Sequence, residues 1–531
     1  MGFRSIALAG VLGVLGFHPV AALAADPSPT TKAAEHRFDI LAFQVLGSSK
    51  LPTIDIERAV YPFAGPQRSE ADVESARQAL QSLYDKRGYP TVSVTIPAQG
   101  TASGLITLQV DEQRVGRLRV VGAKWYSPDD VARAAPSLAE GKVPNFGDVQ
   151  KDIVSLNQLP DRRVTPEIKA GAAPGTVDVD LKVDDSLPLH GSLELNNRSS
   201  PNTSDLRLSG TIHYDDLWQL GHSLTLTMQT APQRPSDARV FSGSYLARFG
   251  DLPFSLLGYA VHSNSNVAAI SDFNVIGNGA MYGLRLIRAL PAHEGFFHSF
   301  SFGIDDKDFK EDTLFGSDRS SAPIQYFPLV AAYNANWMHG GNSTDLGITA
   351  TANLRGLGDG NDAFDNKRFL AKADFFHLRL DASHTLSFAG GWQFYAHLLA
   401  QFSNEPLISN EEFSIGGLDT VRGYLESTVL GDAGAAAQLE LRTRPLFTGK
   451  FDIDNFRLFA FYDAGYARIH DPLPEQLSSD TLASAGIGAV LRAFGHFNTS
   501  LDFAVPLTNP GSGPDRKRES PNVLFRTWGE F

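Results

Sequence analysis

Residues 416–427 read GGLDTVRGYLES, with Arg422 set between Val421 and the pair Gly423-Tyr424. The surrounding turn residues mark a loop. An arginine there offers a planar fork that can hold a carboxylate through two hydrogen bonds. Gly416, Gly417 and Gly423 let the backbone turn sharply. Further along, FYDAG (461–465) puts Phe461, Asp463 and Gly465 on one face of an alternating segment, with Leu458, Ala460 and Tyr462 on the other. The remaining chemistry is sparse. The chain has no cysteine, which excludes disulfides, thiolate metal sites and cysteine nucleophiles. It has no nucleophile elbow, HExxH or phosphate-binding glycine loop, and its fourteen histidines are scattered. The chain therefore reads as a non-enzyme, and neither a cofactor nor a metal is expected. GDGNDAFDN (358–366) spaces carboxylates as a calcium loop would, but it lacks the closing glutamate and reads first as a solvated polar loop. DRKRES (515–520) is a solvated charge run, with lipopolysaccharide phosphates as the alternative partner.

These residues need elements to position them, and composition limits which. A net charge of −13 over 531 residues argues against nucleic acid as a partner. The mean hydropathy of −0.14 is too low for a bundle of membrane helices. Arg4, the apolar run Ile6–Phe17 and Ala22-Leu23-Ala24 read as a signal peptide over 1–24, with an uncleaved anchor as the alternative. Residues 25–37 follow as a linker. No later apolar run reaches the ~18 residues of a spanning helix, so an exported chain that resides in a membrane must cross it with strands.

Two small α+β units come first, over 38–113 and 114–186. In the first, SEADVESARQALQSLYDKRGYP places Val73, Ala76, Leu80 and Leu83 on one helical face. Ser69 stands as N-cap, and Gly88 and Pro90 end the helix. TVSVTIPAQ and GLITLQVDE alternate as strands. The second unit repeats the order, with Ser127 capping a helix, FGDVQKDIVSLNQL helical, and RRVTPEIKAG and TVDVDLKVDD closing as strands.

From 187 to 531 the sequence gives about sixteen alternating segments without a convincing amphipathic helix. This is the pattern of an outer-membrane barrel, with soluble β-sandwiches as the competing reading. Two features favour the barrel. Short connections such as GDLP, PAHEG, MHGGNS and AGG alternate with long ones such as KDFKEDTLFGSDRSSAPI, RGLGDGNDAFDNKR, HDPLPEQLSSD and TNPGSGPDRKRESP, as periplasmic turns alternate with outer loops. Trp218, Trp337, Trp392 and Trp528 fall at one rim, where an apolar ring with a polar N–H suits the membrane interface. Phe531, ending NVLFRTWGEF, suits the closing strand with its ring toward lipid. The fold class is therefore mainly β: a sixteen-stranded transmembrane β-barrel behind two small α+β domains.

The order of these pieces resembles the two-partner secretion transporters of the outer membrane, which export filamentous haemagglutinins and activate haemolysins. The resemblance rests on RGYP (87–90), IPAQ (96–99), Gly104-Leu105 leading to Val110 and Glu112, LNQLPDRRVTPEIKAG, LELNNRSS, and VRGY between the eleventh and twelfth segments with FYDAG on the next strand. It implies that the α+β units are polypeptide-transport-associated (POTRA) domains in the periplasm. It implies that the VRGY loop folds into the lumen and that Arg422 pairs with Asp463, with Val421 and Tyr424 packed on the inner wall. The alternative for Arg422 is a solvated loop charge. The implied function is capture of an unfolded, β-repeat exoprotein of haemagglutinin or haemolysin type and its passage through the barrel. The implied surroundings are outer-membrane lipid, lipopolysaccharide and the barrel assembly machinery. The rival functions are an insertase for barrel proteins and, behind it, a solute channel. ADPSPTTKAAEHR is too short for the plug helix of some family members, so the sixth loop alone is expected to close the pore, or the pore leaks.

Overall fold

The computed structural model describes residues 36–531 except 158, 160, 202, 251, 266–267, 271–272, 276–277, 316–317, 450–451, 475 and 512–522. The expected signal peptide, most of its linker and the DRKRES run lie outside the described residues. By contacts the chain forms two compact units. One comprises Met1–Arg119, Ala132–Ser155 and Pro166–Leu181; the other comprises Val120–Val131, Leu156–Thr165 and Lys182–Phe531.

The first α+β sheet has Leu105–Glu112 at its centre, parallel to Ala42–Leu46 and antiparallel to Val92–Thr95. The helix Glu70–Lys86 packs on it. Ser69 opens that helix as half of a capping box: its backbone N–H donates to Asp72 Oδ2 at 2.8 Å. The helix buries Val73, Ala76, Leu80 and Tyr84. Leu83 packs half-buried against the same core, and Tyr84, one turn past Leu80, is fully buried, its hydroxyl finding Ser48 Oγ at 2.6 Å and Glu112 Oε1 at 3.3 Å. GPQR (65–68) also forms a short strand against Phe38–Ile40, which its composition hid. A second sheet has the order Arg114–Val121, Thr176–Asp185, Arg162–Ala170.

Sixteen antiparallel strands close into a barrel, running from Leu189–Asn196 to Val523–Glu530. Alternation sets the two faces. On the thirteenth strand (Ile453–Arg468), Phe459, Phe461, Asp463, Gly465 and Ala467 are buried, while Leu458, Ala460, Tyr462 and Tyr466 are exposed. The exposed apolar face continues through Phe300, Phe302, Ile304, Leu398, Phe402 and Ile487. Water would penalise such a surface, and lipid accepts it. Trp218, Trp337 and Trp392 stand beside hairpin turns on one rim, and Trp528 near the end of the sixteenth strand stands at the same rim.

Two expected outer loops are built differently. KDFKEDTLFGSDRSSAPI is not a loop. The seventh and eighth strands (Phe296–Phe315 and Asp318–His339) pair through it, from Lys307 opposite Tyr326 to Phe315 opposite Asp318. A ribbon beyond the membrane needs only ladder hydrogen bonds, so the polar composition did not forbid it. GDGNDAFDN is solvated along most of its length, as expected, but it is not a plain loop. The ninth strand ends at Gly358, and Asn361–Lys367 is a helix that buries Phe364 against Tyr326 and Phe375, at ring-centroid distances of 5.6 and 6.1 Å. Its polar groups bind backbone: Asp359 accepts from Gln325 N, Asp365 from Leu370 N, and Asn361 from Ala373 N. Phe364, Phe375, Ala371 and Ala373 join Tyr259, Met281, Phe309, Ile324 and Tyr326 from inward faces of the wall in one buried cluster.

The first and sixteenth strands meet from Asn196 opposite Arg526 to Ser192 opposite Glu530. At one end of this seam Gly191 and Phe531 exchange backbone hydrogen bonds of 3.0 and 2.9 Å. At the other, the Asn197 side chain donates to Val523 O and accepts from Phe525 N, both near 2.9 Å. The Phe531 ring lies directly on Gly191, where a Cβ would come within 2.0 Å of it. Gly191→Leu is therefore expected to lose roughly 1–3 kcal/mol by overpacking at the seam. The check is heat-modifiable migration on a gel, where the folded band should fall for Gly191→Leu while Gly529→Ala, at a site with open space, leaves it unchanged.

Candidate functional site

The loop between the eleventh strand (Gln393–Ser403) and the twelfth (Ala433–Arg442) turns into the barrel. It carries a small hairpin, Phe413–Ile415 against Val429–Gly431. Gly416 and Gly417, both with φ near +105°, let the chain leave that hairpin. Val421 and Tyr424 are buried; Val421 packs with Ile415, Ala436, Ala467 and Leu482. The Tyr424 hydroxyl sits 2.6 Å from Thr508 O and 2.9 Å from Ala483 O. Gly465 on the wall admits the loop, since a Cβ there would meet Val421 Cγ2 at 2.9 Å.

Arg422 is 4% exposed. Its Nε and Nη2 donate to Asp463 Oδ2 and Oδ1, both at 2.8 Å, a two-point fork. Its backbone N–H also donates to Asp463 Oδ2 at 3.1 Å. Nη1 reaches Glu440 Oε1 at 2.7 Å and Asp502 Oδ1 at 3.3 Å. The guanidinium lies over the Phe461 ring, 3.7 Å from its centroid. Register explains the convergence. Glu440 stands opposite Phe461, Phe461 opposite Gly486, and Gly486 opposite Ala504. Phe459 stands opposite Gly488, and Gly488 opposite Asp502. Gly486 and Gly488 leave room for the two phenylalanine rings, which Cβ atoms there would strike at 2.5 and 2.3 Å. Asp463 lies on the thirteenth strand, the second after the loop rather than the next. The twelfth intervenes and contributes Glu440.

Other ion pairs hold the loop. Arg198, just past the first strand, donates to Asp419 at 2.5 Å and Glu426 at 2.9 Å, and Glu426 N donates to Ser199 O. Arg368, beyond the Phe364 helix, forks onto the fully buried Asp432 and also reaches Glu412. Lys307 Nζ, Tyr326 Oη and His377 Nε2 surround Glu411 at 2.5, 2.6 and 3.0 Å. Apart from Arg422, the loop supplies the acids and its surroundings the cations. A cavity of about 1560 Å³ remains in the lumen. Its lining includes Phe297, Asn336 and Tyr395, which lie toward the tryptophan rim, and the charged Arg379, Asp381 and Arg526.

Comparison with known proteins fits this architecture. The profile of the haemolysin secretion/activation proteins ShlB/FhaC/HecB matches residues 175–491, more than half of the chain. The profile of the ShlB-type POTRA domain matches residues 38–112. The chain belongs to the ShlB/FhaC/HecB family. Outer membrane transporter CdiB of Dickeya dadantii is 22% identical over 68% of this chain and 64% of its own length. The namesake from Escherichia coli O6:K15:H31 is 24% identical over 92% of this chain and 83% of its own. The solved structure of CdiB from Escherichia coli shares the fold at a TM-score of 0.65 and 20% identity, covering 95% of this chain and 92% of the other. The protein is thus an outer-membrane barrel with its POTRA domain in the periplasm.

In this ShlB/FhaC/HecB member the geometry brings Arg422, Asp463 and Phe461 into contact, seats Val421 on Gly465, and places Gly423, with φ +88°, against Ala504 and Pro506. Phe531 stands apart at the seam. Sequence reasoning missed Glu440, Asp502, Arg198 and Arg368. Inward-facing acids on the twelfth and fifteenth strands were the available signal for the first two. Removing Arg422 takes the shared cation from three buried acids, of which only Glu440 keeps another, Arg442. Arg422→Ala is expected to cost about 3–5 kcal/mol of loop docking, more than Asp463→Asn, and Arg422→Lys should not restore it because lysine has no fork. Limited proteolysis reads this out: residues 404–432 should become cleavable in Arg422→Ala while the barrel keeps its heat-modifiable migration.

Proposed function

We propose that this protein is the translocating partner of a two-partner secretion pair. In this reading, the domains at 38–113 and 114–186 capture an unfolded β-repeat exoprotein in the periplasm. The barrel at 187–531 passes it to the cell surface without acting as an enzyme. The observation that carries the reading is the buried Arg422 cluster, which fixes a whole loop inside a closed sixteen-strand barrel otherwise wide enough for an aqueous channel. A solute channel has no use for the POTRA-like domains. An insertase is the second reading, and the two POTRA-like units favour secretion over it. In either reading, lipopolysaccharide surrounds the barrel and the barrel assembly machinery inserts it.

Capture by strand addition needs an open sheet edge. The edges of the two sheets differ in this respect. On Val92–Thr95, Gln81 bonds Val92 O and Val94 N, and Arg77 bonds Val94 O. On Arg114–Val121, Val115 bonds Lys142 and Gly141, and Leu118 N bonds Glu140. Arg162–Ala170 is blunted at Val164 by Asn157 and interrupted by Pro166. Among the described residues of these two three-stranded sheets, Ala42–Leu46 is the edge we assign to an incoming strand. Passage then requires the outer half of the lumen to clear, which means that Phe364 and Arg368 let go.

Four outcomes test the proposal. A photo-crosslinker at Gln44 should trap the exoprotein, and one at Lys86 should not. Deleting 38–185 should leave an inserted barrel and no secretion; normal secretion would refute capture. In planar bilayers, Phe364→Ala with Arg368→Ala should raise conductance several-fold over the parent, with secretion by Arg422→Ala strongly reduced at unchanged barrel levels.

A further inference from the structure

At the tryptophan rim, within the unit that holds the barrel, two histidines and two aspartates meet outside the Arg422 cluster. Asp161 precedes the strand Arg162–Ala170, His190 sits in the first barrel strand, and His213 and Asp215 sit near the end of the second (Arg207–Leu217). His190 Nε2 lies 2.7 Å from Asp161 Oδ2, and His213 Nε2 lies 2.9 Å from Asp215 Oδ2. The imidazoles stack with centroids 6.3 Å apart. One donor atom each from Asp161, His190 and Asp215 fall within 4.8 Å of one another. Asp161 and Asp215 are buried, whereas His190 is 41% exposed on its side chain.

We propose that Asp161, His190 and Asp215 bind a divalent transition ion, zinc in first place. The charge balance gives the motive. Two buried carboxylates share this pocket, with Asp216 also buried beside them. Of the nearby cations, Arg162 is turned to Leu156 O and the Tyr126 ring, and Arg248 to Gly221 O and the Ser223 hydroxyl, so neither bonds Asp161 or Asp215 directly. A divalent ion bound by neutral imidazole would offset both acids. The donor set selects the ion: calcium and magnesium take oxygen ligands, whereas nitrogen with carboxylate oxygen suits zinc. The geometry is within reach, because ligands on tetrahedral zinc stand roughly 3.4 Å apart at bond lengths near 2.1 Å. The 2.7 Å pair must open slightly and the widest pair must close, which side-chain torsions allow.

The surroundings already orient the ligands. Ser186 Oγ donates to Asp161 Oδ1 at 3.2 Å, and Ser223 Oγ donates to Asp215 Oδ1 at 2.5 Å. His213, held by Thr225 Oγ1 at 2.7 Å, aims the other Asp215 oxygen. It is a positioning residue, of the kind whose loss costs about 10–100-fold in metal affinity. The exposed side of His190 leaves a coordination position open to water. An ion here would tie the segment before Arg162 to the first two barrel strands.

The test uses the full-length protein in detergent, without a histidine tag, stripped with a chelator and titrated with Zn²⁺ by calorimetry and with Co²⁺ by visible absorbance. The expected result is one Zn²⁺ per chain, saturable, with Co²⁺ bands of low coordination number. His190→Ala and Asp161→Asn should each weaken Zn²⁺ by more than about 100-fold, His213→Ala should weaken it by about 10-fold, and His339→Ala should leave it unchanged. Asp161 lies off the barrel wall, so its variant reports binding even where a wall variant folds poorly; heat-modifiable migration checks each. Absence of saturable Zn²⁺ binding, or equal binding by Asp161→Asn, overturns the proposal and leaves two hydrogen-bonded His–Asp pairs.

Discussion

A guanidinium shut away from water must be given carboxylates, and much of this barrel's inner wall follows from that requirement. Arg422 donates a fork to Asp463 and further hydrogen bonds to Glu440 and Asp502, acids supplied by three strands. Those strands can converge only because Gly486 and Gly488 leave space for Phe461 and Phe459, and Gly465 leaves space for Val421. The phenylalanines in turn give the guanidinium a face to lie on. Buried ion sets of this kind add little net stability over apolar packing, yet they penalise every arrangement that separates them. Their value here is to fix where the loop sits.

The loop is held at several independent places around its course. Arg198 ties it beside the seam, Arg368 ties its far end at Asp432, and Lys307 with His377 holds Glu411. Each of these partners comes from a different part of the wall or from another loop. Each of these sites adds to the hold of the others, so losing the Arg422 fork weakens the whole docked state. The cluster around Phe364 and Tyr326 adds an apolar closure on top of the ionic one.

How much of this the sequence showed depends on the range of each interaction. Alternation is local, so the strands, their inward and outward faces and the tryptophan rim could be read directly. VRGY and FYDAG were legible through resemblance. Glu440 and Asp502 were not singled out, since an inward acid looks the same whether it faces water or an arginine. Phe364 was hidden among the acids and asparagines of a stretch that reads as solvated, and a single aromatic gives no periodicity. The hairpin through 307–326 was missed because Phe309, Ile324 and Tyr326, which mark its inner face, stand among acids, lysines and serines that read as a loop. Tyr84 continues the helical stripe four residues past Leu80, beside the half-buried Leu83, and its hydroxyl is satisfied by Ser48, a partner far away in the sequence.

The seam sets a timetable for assembly. The Asn197 side chain bonds the backbone of Val523 across a separation of 326 positions, and Gly191 receives Phe531 across a longer one. Every other neighbouring pair of strands in the barrel is consecutive in its order and can zip as a hairpin. This last pair cannot form until nearly the whole barrel has crossed the inner membrane, and loop closure over such a span is slow. Until then both terminal strands carry unpaired edges in the periplasm. An escort that covers those edges, and proteases that patrol for them, would therefore act on this chain before its pore exists.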